Sequence, residues 1–224
     1  MNPEGLRPPA ELTVNNLFHF IQAGGFVMYP LVLFSLASIT IIVERILAYR
    51  QLGNLAPGLL PDVLKRVRAG DLSGALSASE ARTGPVAACL TVALRNREKP
   101  VAAIERQVEE TGQEYFLRLE RFLPFLDTTT TISPLLGLLG TIVGMIGTFN
   151  AIAGQEHREN SDAVLAGVGE ALYATATGLV VAVVCFVAYN FFAARQRTII
   201  GETEQAVTKL LNVLADSEAV EKGR

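Results

Sequence analysis

Tryptophan is absent, and only two cysteines and two histidines occur among 224 residues, of which 18% are charged. Each scarcity excludes something. Cys89 and Cys185 lie far apart, with no second cysteine or histidine at ligand spacing, so they read as small apolar residues rather than a disulfide framework or a metal site. His19 and His157 belong to no HExxH; there is no CxxC and no GxxxxGK[ST] phosphate loop. GVGEAL, residues 167–172, opens like a dinucleotide fingerprint but lacks the third glycine and sits in an apolar run. No enzyme class, cofactor or metal follows from these residues. The net charge of -3 supplies no field of one sign that would recruit nucleic acid.

Apolar sequence is abundant instead. Half of the residues are hydrophobic and the mean hydropathy is +0.35, too apolar for an ordinary soluble domain. Residues 25–43, 128–153 and 163–194 form three apolar runs that approach or exceed the ~20 residues a helix needs to cross a bilayer. The first follows a segment whose one basic residue is Arg7, and it ends in Glu44-Arg45 rather than a cleavage site. It is therefore expected to stay as a membrane anchor.

Lysine and arginine number one before the first run, twelve between the first and second, one (Arg158) between the second and third, and five after the third. The positive-inside rule then puts the amino terminus outside and the carboxyl terminus in the cytoplasm. Residues 1–24 are an outer segment in which Val14, Leu17, Phe18 and Ile21 recur at helical spacing, which suggests an amphipathic surface helix. Residues 44–127, with twelve basic and eleven acidic side chains, read as a solvated cytoplasmic helical hairpin punctuated at Gly70-Asp71, Gly84-Pro85 and Lys99-Pro100. After Pro100 no turn pair interrupts the chain until Gly154, with Gly112, Pro124 and Pro134 as possible bends. A single helix there would run for about 75 Å, so the second span is expected to project into the cytoplasm. Residues 154–162 form an outer loop, and residues 195–224 a cytoplasmic helix periodic through Ile200, Ala206, Val207, Leu210, Leu211 and Leu214. The fold class is all-α, an integral membrane protein with three transmembrane helices.

On a helical wheel of the second span, Thr130, Gly137, Gly140, Thr141, Gly144, Gly147 and Thr148 fall within a sector about 120° wide, opposite the bulky residues. Two readings of this stripe stand side by side. Gly140 and Gly144 form a GxxxG contact that lets two helices approach closely; or several copies of the stripe surround a space in which Thr141 and Thr148 are polar. In the third span Glu170 is the single carboxylate. It is a functional candidate by default or an interfacial residue reaching water. Gly167, Ala171, Ala174, Thr175, Gly178 and Ala182 make a second small-residue stripe, whereas Thr177 lies on the face of Glu170. Periodicity does not choose between Thr175 and Thr177.

PLLGLLGTIVGMIGTF followed by GVGEALYATATGLVVAVVCFVAYN resembles the MotA/TolQ/ExbB proton-channel family, and most resembles its ExbB branch. GGFVMYPLVLFSL with the following Glu44-Arg45 extends the resemblance over nearly the whole chain, and the three-span topology is similar to ExbB and TolQ rather than to four-span MotA. The resemblance implies a homopentamer in the bacterial inner membrane whose second and third helices line a pore. That pore would hold an ExbD- or TolR-like single-span partner bearing a membrane aspartate. It also implies proton-driven rotation that does work on a periplasmic transducer: TonB, for outer-membrane transport, in an ExbB setting, or TolA, for envelope integrity, in a TolQ setting. Carried over by position, the motif puts the pore threonines at Thr141 and Thr175 and the carboxylate at Glu170; Thr148 is added as pore-lining from its place on the wheel. Gly137, Gly140, Gly144, Gly147 and Gly178 are the packing positions. Val184 departs from a proline found in many members. A passive, non-conducting membrane scaffold and a sodium-driven relative are the competing readings.

Overall fold

The computed structural model describes residues 24–52, 56–153 and 161–222. The amphipathic pattern from Val14 to Ile21 lies outside them, as does nearly all of the expected outer loop at 154–162. The described residues form seven helices: α1 (Met28–Leu52), α2 (Leu59–Arg68), α3 (Leu72–Glu80), α4 (Pro85–Arg95), α5 (Val101–Glu120), α6 (Leu123–Ala153) and α7 (Ser161–Lys222). No strand occurs among them. Three helical runs, in α1, α5–α6 and α7, are long and apolar enough to cross a membrane.

Two of these boundaries differ from the sequence reading. The expected single helix from Pro100 to Gly154 is interrupted at Arg121 and Phe122, the latter with φ 66°. Pro124 is the reason: it has no N–H for the Glu120 carbonyl and no room for it, while in the first turn of a new helix it is harmless. Pro134, by contrast, lies inside α6 without ending it. The second difference is at residue 194, where the third span and the C-terminal segment meet without a break, both lying on the 62-residue α7. Its polarity changes there, but nothing near Ala194 stops a helix.

The chain divides into two compact units, Met1–Ile39 with Phe125–Val187, and Thr40–Pro124 with Ala188–Arg224. In the first, small residues bring α6 and α7 together. Val27, Met28 and Leu31 of the α1 segment form a buried cluster with Leu136, and Phe34 stacks on Phe125 with ring centroids 5.9 Å apart. The outer surface is apolar, with Leu33, Leu36, Leu138, Ile142, Phe149, Leu172, Val183 and Phe186 all exposed. Such a surface is stable in lipid and a liability in water.

The second unit has an ordinary hydrophobic core. Leu59, Val63 and Val67 of α2 pack with Val86, Leu90 and Leu94 of α4, with Ile104 and Val108 of α5, and with Ala206, Val207, Leu210 and Leu214 of α7. The C-terminal periodicity read from the sequence is thus a core face. The solvated region is richer than a hairpin, because each punctuation mark ends one short helix and starts another. Gly70 (φ 78°) closes α2: its N–H donates to Val67 and that of Asp71 to Arg66, a glycine-dependent helix stop. Asp71 then caps α3 by accepting from the Gly74 N–H at 2.9 Å, and this bond holds its carboxyl below the usual carboxylate range. Pro85 begins α4.

The break at Arg121-Phe122 leaves carbonyls at the end of α5 without helical donors, and α1 supplies the donors. Arg45, 2% exposed, donates through Nη1 to the carbonyls of Arg118 at 2.8 Å and Leu119 at 3.2 Å. The Tyr49 hydroxyl lies 3.2 Å from the Leu119 and Phe192 carbonyls, within donating distance of both. A cation at a helix C-terminus also opposes the helix dipole favourably.

Candidate functional site

Within the first unit α6 and α7 approach so closely that glycine is required on both sides. A Cβ on Gly178 would fall 2.4 Å from the Ser133 carbonyl oxygen, and one on Gly140 would fall 2.4 Å from the Ala174 Cβ. A Cβ on Gly137 would fall 3.0 Å from the Thr175 Cα, and one on Gly144 would fall 3.0 Å from the Ala171 Cβ, less tight but still closer than ordinary contact. These are small-residue contacts of the kind that pack helices where lipid gives no hydrophobic drive for association. Gly147 differs: among the described residues nothing lies within 4 Å of where its Cβ would be.

The threonines of the two stripes separate into different environments. Thr175 is half-buried, and its hydroxyl lies 3.0 Å from the Gly137 carbonyl across the seam and 3.2 Å from the Ala171 carbonyl on its own helix. One proton cannot satisfy both acceptors at once, so the hydroxyl joins the helices while its oxygen can still accept. Thr141 is also half-buried and donates to the Leu138 carbonyl at 2.7 Å. Thr141 and Thr175 each follow one member of the Gly140–Ala174 contact in sequence, so both hydroxyls belong to that level of the seam. Thr177 donates back to Tyr173 on its own helix at 2.8 Å.

Thr148 is placed otherwise. It is buried, its hydroxyl donates to the Gly144 carbonyl at 2.9 Å, and a Cβ on Gly167 would collide with its Oγ1. Among the described residues Thr148 therefore takes part in the helix contact. Its wheel position matches that of Thr141; the neighbour it meets, Gly167 on α7, is what separates them.

Glu170 is half-buried on α7, and its carboxylate lies against the backbone of Gly25. A Cβ on Gly25 would fall 1.7 Å from Glu170 Oε1. Gly25 also has φ +68°, a conformation L side chains rarely adopt, and its carbonyl accepts from the Met28 N–H at 3.0 Å to start α1. Two independent demands, backbone and space, thus fall on this one glycine. The sequence offered a hint in the paired Gly24-Gly25 at the head of the first span, but nothing in it pointed to a carboxylate 145 positions away.

Three apolar helices, a seam of small residues and a pair of hydroxyls beside it, with Glu170 as the carboxylate of the third span, define a multi-span helical membrane protein with a polar constellation among its spans. Residues 81–205, more than half of the chain, match the MotA/TolQ/ExbB proton channel family, and the chain belongs to that family. It is 33% identical over 172 residues to the biopolymer transport protein ExbB-like 3 of Synechocystis, covering 76% of this chain and 82% of that one. It is 42% identical over 84 residues to the Tol-Pal system protein TolQ of Pseudomonas aeruginosa, covering 38% of this chain and 36% of that one. With the biopolymer transport protein ExbB of Salmonella typhimurium it shares 39% identity over 97 residues, 43% of this chain and 38% of that one.

Proposed function

We propose that the chain is the ExbB-like subunit of an inner-membrane motor driven by protons. In this reading it forms a homopentamer around an ExbD-like single-span partner and transmits work to a TonB-like periplasmic transducer for outer-membrane transport. The observation that carries the reading is the placement of Thr141 and Thr175 beside the Gly140–Ala174 contact, with the Thr141 hydroxyl donating to a carbonyl of its own helix and the Thr175 hydroxyl within donating distance of one across the seam. An oxygen whose proton is committed to a carbonyl still accepts a hydrogen bond. It can therefore solvate a protonated partner carboxyl or order a short water chain. Leucine at either position would leave that carboxyl unsatisfied in a dry environment, at roughly 2–7 kcal/mol. Glu170 is a second acid on the route and Gly25 holds its side chain; Thr148 and the glycines of the seam keep the two helices in register.

A TolQ-like role in envelope integrity is the second reading, favoured by the 42% identity to a TolQ over the stretch matched. Complementation separates the two. Expressed with its partner in a bacterium lacking ExbB, the chain should restore energy-dependent uptake through outer-membrane receptors. In one lacking TolQ, it should leave detergent sensitivity unrepaired. The reverse pattern would establish the TolQ role, and failure of both would favour a passive scaffold. Thr141→Val or Thr175→Val complexes that assemble and still support uptake at the unaltered rate would overturn the proton-path assignment.

A further inference from the structure

Beyond the apolar run of α1 lies a cavity that the proton path does not use. It encloses about 450 Å³ and is lined from α1 by Glu44, Arg45, Leu47 and Gln51, and from the end of α5 by Arg118 and Arg121. Its charges are unequally committed. Both carboxylate oxygens of Glu44 accept from Arg45, so this pair cancels internally. Arg118 reaches Glu114 at 2.6 Å through Nη2 and is 58% exposed. Arg121 lies over the Phe122 ring, 4.6 Å from its centroid, with no carboxylate within ion-pair distance among the described residues. The lining thus holds three arginines against one carboxylate, Glu44, with Glu114 paired to Arg118 and Glu120 next to Arg121 in the chain outside it.

One wall is apolar and faces outward. Leu47, which lines the cavity, is 53% exposed; Val43 is 52% exposed one turn earlier on the same face of α1, and Ile46 is 43% exposed beside it. Val43 is also the last residue of the first apolar run. A greasy track therefore leads from the membrane-spanning part of α1 straight into a pocket of arginines.

We propose that this cavity binds the phosphodiester headgroup of an anionic membrane lipid. The guanidinium groups of Arg118 and Arg121 take the phosphate oxygens, for which their planar forks are suited. The glycerol and the first acyl methylenes lie along Leu47 and Val43. Juxtamembrane arginine clusters attract anionic headgroups, and here the cavity gives the attraction a fixed geometry. Inorganic phosphate shares the headgroup chemistry, but only a lipid makes use of the apolar track. The site does not depend on the proton path, so its test is independent of that reading.

The full chain, purified in non-ionic detergent, is titrated with phosphatidylglycerol, phosphatidylcholine or inorganic phosphate, with lipid retention read by native mass spectrometry and thermal unfolding read in parallel. Phosphatidylglycerol should be retained in preference to phosphatidylcholine and should raise the melting temperature, while phosphate at the same concentration should not. Each of Arg118→Gln and Arg121→Gln should lower that preference about fivefold, as expected of one basic residue near an anionic surface. Both side chains are exposed, so the fold should survive, and the unfolding curve without lipid verifies this. Equal retention of the two lipids, equal stabilisation by phosphate, or a preference unchanged in the double variant would each overturn the proposal.

Discussion

Gly25→Ala is the most informative single substitution, because two separable penalties meet at one atom. Glycine tolerates the left-handed conformation at φ +68°, whereas an alanine there costs about 1–2 kcal/mol. The new Cβ would also sit 1.7 Å from Glu170 Oε1, so the carboxylate must leave its place; as the far end of a flexible side chain it swings aside at the cost of an off-rotamer torsion, ~0.5–1.5 kcal/mol. Thermal unfolding of the purified chain should therefore show a loss of about 1.5–3.5 kcal/mol. Glu170→Asp shortens the acid by one methylene and makes room. In a double-mutant cycle over Gly25→Ala and Glu170→Asp, the steric part should be recovered and the backbone part should not, giving a coupling of about 0.5–1.5 kcal/mol. Strict additivity of the two substitutions would refute the contact. If Glu170 also lies on the proton route, Gly25→Ala should depress transport with assembly intact and the double variant should regain part of it. If the stability coupling appears without any transport effect, the contact stands and the role given to Glu170 falls.

Three further outcomes follow from the packing. Gly178→Ala places a Cβ 2.4 Å from a backbone oxygen and should destabilise the chain by about 1–3 kcal/mol in the same unfolding assay, whereas Gly147→Ala, with open space, should be near neutral. Arg45→Met removes the donor to the Arg118 and Leu119 carbonyls and should cost about 1–3 kcal/mol, with faster proteolysis at the Arg121-Phe122 break. Burial pushes the Cys89 thiol up to about 11, so it should resist maleimide at neutral pH until the chain is denatured; labelling at the rate of an exposed thiol would contradict the packing of α4 against α5.

The parts of this fold that local chemistry decides could be read from the sequence, and the parts that distant partners decide could not. Apolar runs of sufficient length marked the three spans, and Gly70, Gly84-Pro85 and Pro100 marked helix ends because each acts on its own backbone. Pro124 and Pro134 looked equivalent as bends. They differ because Pro124 ends a helix whose last carbonyls are taken by Arg45 and Tyr49, some 70 residues earlier. The polar segment after Ala194 looked like a separate helix, since a change of side-chain polarity resembles a boundary even when the backbone has no reason to stop. In the candidate site the wheel grouped Thr141 with Thr148, and only Gly167 on the facing helix sets them apart. The glycine stripe in the second span likewise proves uneven: Gly137, Gly140 and Gly144 meet α7, and Gly147 has no neighbour at its Cβ position among the described residues.

Proton flux reads out the part played by the two hydroxyls beside the seam. The chain, reconstituted with its single-span partner into liposomes loaded with a pH-sensitive dye, is compared with Thr141→Val, Thr175→Val and the corresponding serine variants under an imposed gradient. The account predicts that valine at either position lowers flux at least tenfold, with assembly unchanged, and that serine, which keeps the hydroxyl, restores most of it. Equal flux through threonine and valine complexes would contradict it.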